Sequence, residues 1–191
     1  MKKILVIVGS GRKDGNTDKL SDAFIAGALK SGHQVTKIHL GEKTISGCIG
    51  CNACRWGKAC ILEDDMDEIY PHYDECDMIV LASPPYFWTI TARTKAFLER
   101  LYATAEEDDN PPKGRYEKYA VKECVLLMTA ADDNFWTFGQ ALSYYHFTCV
   151  NYLGWTDRGT VLAGGCGGSP GRRHIEDTGH LEAAYAFGRS L

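Results

Sequence analysis

Four of the chain's eight cysteines crowd into one short segment, and their spacing is chemical rather than structural. Cys48, Cys51, Cys54 and Cys60 read C-x2-C-x2-C-x5-C. Zinc sites usually pair two knuckles separated by about a dozen residues or more. Three thiols in so tight a run instead match the loop that wraps one corner of an iron–sulfur cubane. Metal-free thiols, a labile disulfide and zinc in a distorted site stand as alternatives. No acid lies between Cys48 and Cys60, while Arg55 and Lys58 do and would offset thiolate charge. Cys76, Cys124, Cys149 and Cys166 are scattered in or beside apolar stretches and are expected to be small, reduced core residues.

A second set of chemistry-bearing residues opens the chain. Gly9-Ser10-Gly11-Arg12-Lys13-Asp14-Gly15-Asn16-Thr17 offers backbone amides, hydroxyls and a guanidinium just ahead of a helical pattern. Such a loop suits a phosphate monoester at a helix N-terminus. It lacks the Gly-Lys-Ser/Thr ending of a nucleoside-triphosphate loop, and its third glycine is misplaced for G-x-G-x-x-G. The plain alternative is a flexible turn with Asn16 or Thr17 as N-cap.

The elements that position these loops follow from hydrophobic periodicity. Ile4 to Val8 is a continuous apolar run, the mark of a strand buried on both faces. Further strands are predicted over Gln34–Leu40, Met78–Ala82, Cys124–Met128 and Thr156–Ala163. Helices are predicted from Asn16 or Thr17 to Gly32, and over Asp64–Glu75, Thr91–Tyr102, Asn134–Asn151 and His174–Phe187. Ala92, Ala96, Phe97 and Leu101 are expected on the buried face of the third. Glu106–Gly114 reads as an exposed loop and Gly164–Gly171 as a glycine turn. Strands alternating with helices predict a doubly wound α/β fold with a parallel sheet. One domain is expected over residues 1–191, with the cysteine loop 47–61 inserted after strand two.

Composition narrows the function. The 191 residues include 21 Lys+Arg against 25 Asp+Glu, a net −4, which argues against nucleic acid or an anionic membrane as partner. No apolar run approaches the ~20 residues of a membrane span. Met1-Lys2-Lys3 before Ile4–Val8 imitates a signal peptide, but five apolar residues fall short of the roughly 7–15 required. A cytoplasmic protein is expected. The six histidines pair with no nucleophile or metal spacing, and no His-Glu-x-x-His occurs.

Three blocks in register carry a resemblance. Gly9-Ser10-x-Arg12-x-x-Gly15-Asn16-Thr17, Ser83-Pro84-Pro85-Tyr86-Phe87-Trp88 and Lys95-Ala96-Phe97-Leu98-Glu99-Arg100 resemble the NAD(P)H-dependent FMN reductases of the flavodoxin-like superfamily, over Met1 to about Met128. The resemblance implies sheet order 2-1-3-4-5 and FMN held by its phosphate on Ser10, Arg12, Gly15, Asn16 and Thr17. It implies that Ser83 to Trp88 wraps the ribityl chain and ring. The residues agree, because Pro84-Pro85 stiffens that loop and Tyr86, Phe87 and Trp88 present aromatic faces; surface packing is the plain alternative. A third flavin loop is implied after strand four at Thr129-Ala130-Ala131-Asp132-Asp133, where Asp132 or Asp133 could instead cap the next helix. The cysteine segment resembles the motif of iron–sulfur flavoproteins, which implies a 4Fe–4S cluster on Cys48, Cys51, Cys54 and Cys60.

The implied activity is hydride transfer from NAD(P)H to N5 of FMN, with electrons passed to a small-molecule or protein acceptor, and no catalytic acid or base is nominated. The rival is a non-catalytic electron carrier, an iron–sulfur flavoprotein or flavodoxin type; mild acidity favours the enzyme. A homodimer or homotetramer is expected. Within 134–151, Phe135, Phe138, Leu142 and Tyr145 form one helical stripe, leaving Trp136, Tyr144 and Phe147 to be covered otherwise.

Overall fold

Strand β1, Lys3–Val8, lies inside the sheet, hydrogen-bonded in parallel to β2, Gln34–His39, on one side and to β3, Met78–Ala82, on the other. The computed structural model describes residues 1–107, 117–167 and 173–191. Strand β4, Glu123–Thr129, pairs with β3, and β5, Thr156–Ala163, with β4. All four pairings are parallel and the order is 2-1-3-4-5. Both neighbours and both faces of β1 are covered, which is why Ile4 to Val8 needs apolar residues at every position.

Alternation divides the core in two. Leu5 and Ile7 point to a layer with Met66, Ile69, Tyr73, Phe97, Leu101 and Tyr145. Ile4, Val6 and Val8 point the other way, to Leu20, Phe24, Ala28, Ile175 and Ala184. Helix α1, Asn16–Lys30, and α5, His180–Arg189, cover this second face. Helices α2, Met66–Glu75, α3, Ala92–Arg100, and α4, Gly139–Tyr145, cover the first. Cys76, Cys124, Cys149 and Cys166 are all buried, as expected of core thiols.

The helices depart from the periodicity reading in identifiable ways. Gly15, not Asn16 or Thr17, is the N-cap of α1, because both side chains are drawn into tertiary hydrogen bonds. Strand β2 stops at His39, where Leu40 turns into a 3-10 segment. The buried face of α3 is Thr94, Phe97, Leu98 and Arg100, continued by Leu101, whereas Ala92 is exposed. The expected helix 134–151 is three pieces: turns over 134–138, α4, and a π-helical stretch His146–Tyr152. Phe135 therefore leaves the stripe and is exposed, while Phe138 and Tyr145 are buried. The last helix begins late, since Gly179 sits at φ +74° between the 3-10 turn Ile175–Asp177 and α5. Glu106–Glu107 forms an antiparallel ribbon with Glu117–Lys118 rather than a plain loop. The rest of the loop 106–114, and 168–171 of the glycine turn, lie outside the described residues. Among the described residues no helix is long and apolar enough to cross a membrane.

Candidate functional site

Strand order reverses at β1, so the loops leaving β1 and β3 diverge at their C-terminal ends and open a crevice there. A cleft of about 500 Å³ occupies that position. Its walls take Ser10, Arg12, Asn16 and Thr17 from the β1 loop, Pro84 to Trp88 from the β3 loop, and Thr129 to Asp132 from the β4 loop. That volume lies in the range of small-molecule sites, roughly 300–1,000 Å³.

The β1 loop is a preorganised cradle. The Ser10 hydroxyl accepts from the Arg12 amide at 3.1 Å, which curls the backbone over the start of α1. The first intrahelical bond runs from the Lys19 amide to Gly15, so the amides ahead of it face the cleft end of a fifteen-residue helix and favour an anion. Gly9 must be glycine, since a Cβ there would fall 1.8 Å from the Thr94 hydroxyl. The Thr17 hydroxyl is buried and pairs with that of Thr129 at 2.7 Å, and the Asn16 amide nitrogen donates to the Cys166 carbonyl at 3.1 Å.

The β3 loop carries backbone strain. Phe87 and Trp88 sit consecutively at φ 48° and 62°, a left-handed conformation costing on the order of 1–3 kcal/mol per residue. Phe87 is 92% exposed and Trp88 51%, their rings edge to face at 6.3 Å. Ser83 and Gly15 frame the cleft without lining it. Ser83 is buried, its hydroxyl accepting the Thr91 amide at 3.0 Å, and Gly15 caps α1. In the β4 loop neither Asp132 nor Asp133 caps α4, whose N-cap is Phe138; Asp132 lines the cleft and Asp133 packs against Gly164.

Sequence reasoning missed Thr137, Cys166 and Gly167 on the cleft wall. Cys166 and Gly167 arrive from the β5 loop, and no local motif marks them. Arg93 was also missed: its guanidinium passes over Gly11 and brings a second cation to the β1 loop. The residue set fits FMN, with an amide and guanidinium cradle for phosphate and free aromatic faces for a flat ring.

Cys48, Cys51, Cys54 and Cys60 all line a second cavity of about 130 Å³, which shares no residue with the cleft. Gly50, Asn52 and Gly57 take left-handed backbone, curling the loop around it. Burial pushes the Cys54 thiol up, and the nearby Cys48 and Cys51 add to the rise. Among the described residues no three His, Cys, Asp or Glu side chains are drawn together closely enough to hold a metal ion. The donor set is nevertheless that of a thiolate-held cluster: four thiols on one cavity, Cys48 and Cys51 exposed and Cys54 and Cys60 half-buried.

Comparison with known proteins adds three findings. The family model described as NADPH-dependent FMN reductase matches residues 2–132. An iron–sulfur flavoprotein of Archaeoglobus fulgidus is 40% identical over 99 residues, covering 52% of this chain and 45% of that protein. The chain spans about half the length of the first curated relatives it matches. Among solved structures, an azoreductase from Bacillus anthracis aligns with TM-score 0.73 at 18% identity, covering 100% of both chains. An NAD(P)H:quinone oxidoreductase from Methanothermobacter marburgensis aligns with TM-score 0.74 at 15% identity, covering 100% of this chain and 98% of that one. At these identities the alignments speak to the fold, which is flavodoxin-like.

Proposed function

The chain belongs to the NADPH-dependent FMN reductase family, and from that premise we propose that it is an oxidoreductase holding FMN in this cleft, reduced by NAD(P)H and delivering electrons to a small-molecule or protein acceptor. The observation that carries the reading is the convergence of the β1, β3 and β4 loops on one cleft with an anion cradle at one end and exposed aromatic rings at the other. Ser10, Arg12, Asn16, Thr17 and the N-terminus of α1, begun at Gly15, bind the phosphate. Ser83, Pro84 and Pro85 hold Tyr86, Phe87 and Trp88 against the ring, and Thr129 and Ala130 close the far wall. Bound FMN supplies the hydride and electron chemistry, and the protein supplies position and electrostatics.

Cys48, Cys51, Cys54 and Cys60 hold a 4Fe–4S cluster, which supplies one-electron transfer. The chain works as a homodimer or homotetramer, a reading supported by the exposed rings of Phe87, Phe135 and Phe147. Anaerobic addition of NADPH or NADH to the yellow protein should bleach the flavin band.

One observation favours a second reading. The cysteine cavity stands beside exposed Ile49 and Trp56, a surface fit for docking a redox protein. A flavin that neither nucleotide bleaches, but that a protein donor reduces, would make the chain an electron carrier. Cysteine-to-serine variants at the four positions should lose iron and keep FMN.

A further inference from the structure

Arg100 ends α3 with its side chain only 1% exposed, an unusual place for a guanidinium. Its Nη1 donates to the Ser46 carbonyl at 3.1 Å and to the Asp64 carboxylate at 2.6 Å, and its Nη2 to the Leu62 carbonyl at 3.1 Å. Ser46 lies just before the cysteine segment, and Leu62 and Asp64 just after it. The guanidinium therefore clamps both stems of the loop from below. Asp64 completes the clamp by accepting the Ser46 amide at 3.0 Å and the Met66 amide at 3.1 Å. The preceding residue, Glu99, accepts the Cys48 amide at 3.1 Å and presses against Gly47, where a Cβ would fall 2.8 Å from its carboxylate.

One donor is left over. Arg100 Nε is buried without a hydrogen-bond partner, although Arg100 itself lines the cysteine cavity. Buried charged donors are rarely left unmatched, because the unmet hydrogen bond leaves the cost of desolvation uncompensated. The side chains that line this cavity with Arg100 include the thiols of Cys48, Cys51, Cys54 and Cys60. The Tyr70 hydroxyl donates to the Arg100 carbonyl at 3.1 Å.

We propose that Arg100 is the positioning residue of the thiolate site, fixing the base of the loop through Ser46, Leu62 and Asp64 and offering Nε–H to a ligand sulfur. The proposal rests on the reading that the four cysteines hold an iron–sulfur cluster. Hydrogen bonds to ligand sulfurs raise the reduction potential of such centres, and groups that orient ligands are typically worth 10–100-fold in metal affinity. Helix α3 then joins the two cavities. Its N-cap, Thr91, donates its hydroxyl to the Gly9 carbonyl and its amide to the Ser83 hydroxyl, and Arg100 stands about 14 Å further on.

Arg100→Gln and Arg100→Lys test this in the full chain, reconstituted anaerobically with ferrous iron and sulfide. The readouts are iron per chain, the rate of iron loss to a chelator, the midpoint potential of the iron centre and the FMN content. Both variants should keep FMN, lose iron to the chelator about tenfold faster or more, and titrate at a more negative potential. Lysine should share both defects because it keeps the charge and gives up the fork. If Arg100→Gln lacks FMN as well as iron, Arg100→Lys decides alone. Parental iron retention and potential in a variant whose parent carries iron would overturn the role of Arg100 and leave the cluster reading standing. An iron-free, FMN-containing parent would overturn both together.

Discussion

The hydroxyl oxygens of Thr17 and Thr129 stand 2.7 Å apart, 112 residues distant in sequence and buried together. They tie the first turn of α1 to the end of β4, so the phosphate cradle and the third cleft wall move as one. Thr17→Val should orphan the Thr129 hydroxyl and cost about 1–3 kcal/mol, whereas Thr17→Val with Thr129→Val should recover most of the loss. Urea denaturation of the four proteins of this cycle checks it; strict additivity would show that the two hydroxyls are uncoupled.

Arg12 is exposed at the mouth of the cradle, and among the described residues its hydrogen bonds there run through its backbone to Ser10. Arg12→Ala should therefore leave the melting temperature of the flavin-free protein unchanged and weaken FMN by roughly 10–100-fold, the worth of about 1.5–3 kcal/mol in a charge-assisted hydrogen bond. Arg93→Ala should act in the same direction with a smaller effect. Flavin fluorescence titration measures both, and parental affinity in Arg12→Ala would remove the phosphate assignment of this loop.

Asp18, buried in α1, ion-pairs with Lys37 of β2 at 2.6 Å. Burial works against its charge, but the hydrogen bond from Lys37, the Asp14 amide and the charge of Lys37 outweigh it, and the carboxyl titrates below its usual range. A folded pKa below the unfolded value of about 3.9 means that the contribution is complete above that pH and is lost as pH falls through the folded value. Asp18→Asn should cost about 1–2 kcal/mol at pH 7, less than a fully buried pair because Lys37 is partly solvated. Its stability should fall less steeply than the parent's below pH 4. Equal acid slopes in guanidinium titrations would show that the pair carries no such linkage.

Phe135 is 93% exposed and stacks edge to face on half-exposed Trp136 at 4.8 Å, with Phe147 68% exposed further along. Light scattering at micromolar concentration should report a dimer or tetramer, and Phe135→Ser with Phe147→Ser should shift it toward the monomer. A monomeric parent would end the oligomer reading.

The sheet was legible because Ile4–Val8 and Met78–Ala82 are apolar at every position, a pattern that only a doubly covered parallel strand demands. The β1 and β3 cleft loops were legible because turn residues, prolines and aromatics announce themselves locally. Cys166 and Gly167 did not, since their place on the cleft follows from β5 lying beside β4 rather than from any neighbour in sequence. Residues 134–151 misled for a different reason: aromatic spacing is blind to where a helix starts and to a change of its pitch, so Phe135 was counted in the stripe although it lies in the turns before α4. Arg100 stood in the sequence only as the end of the Lys95–Arg100 block, with nothing to mark it as buried, because a basic residue ending a helix is ordinarily a solvated one.

Phe87 and Trp88 hold a backbone shape that asparagine and glycine adopt at ease. Any search for hardier variants of this chain, by screening for heat resistance or by averaging over sequences, is drawn to those two positions, where Asn-Gly relieves the tension at once. The relief removes the two rings that face the cleft. Robustness and chemistry thus compete for the same dipeptide, and an engineer who wants both must find the stabilisation elsewhere, at the exposed Leu29 or Val121 for example, and leave the tension where it is.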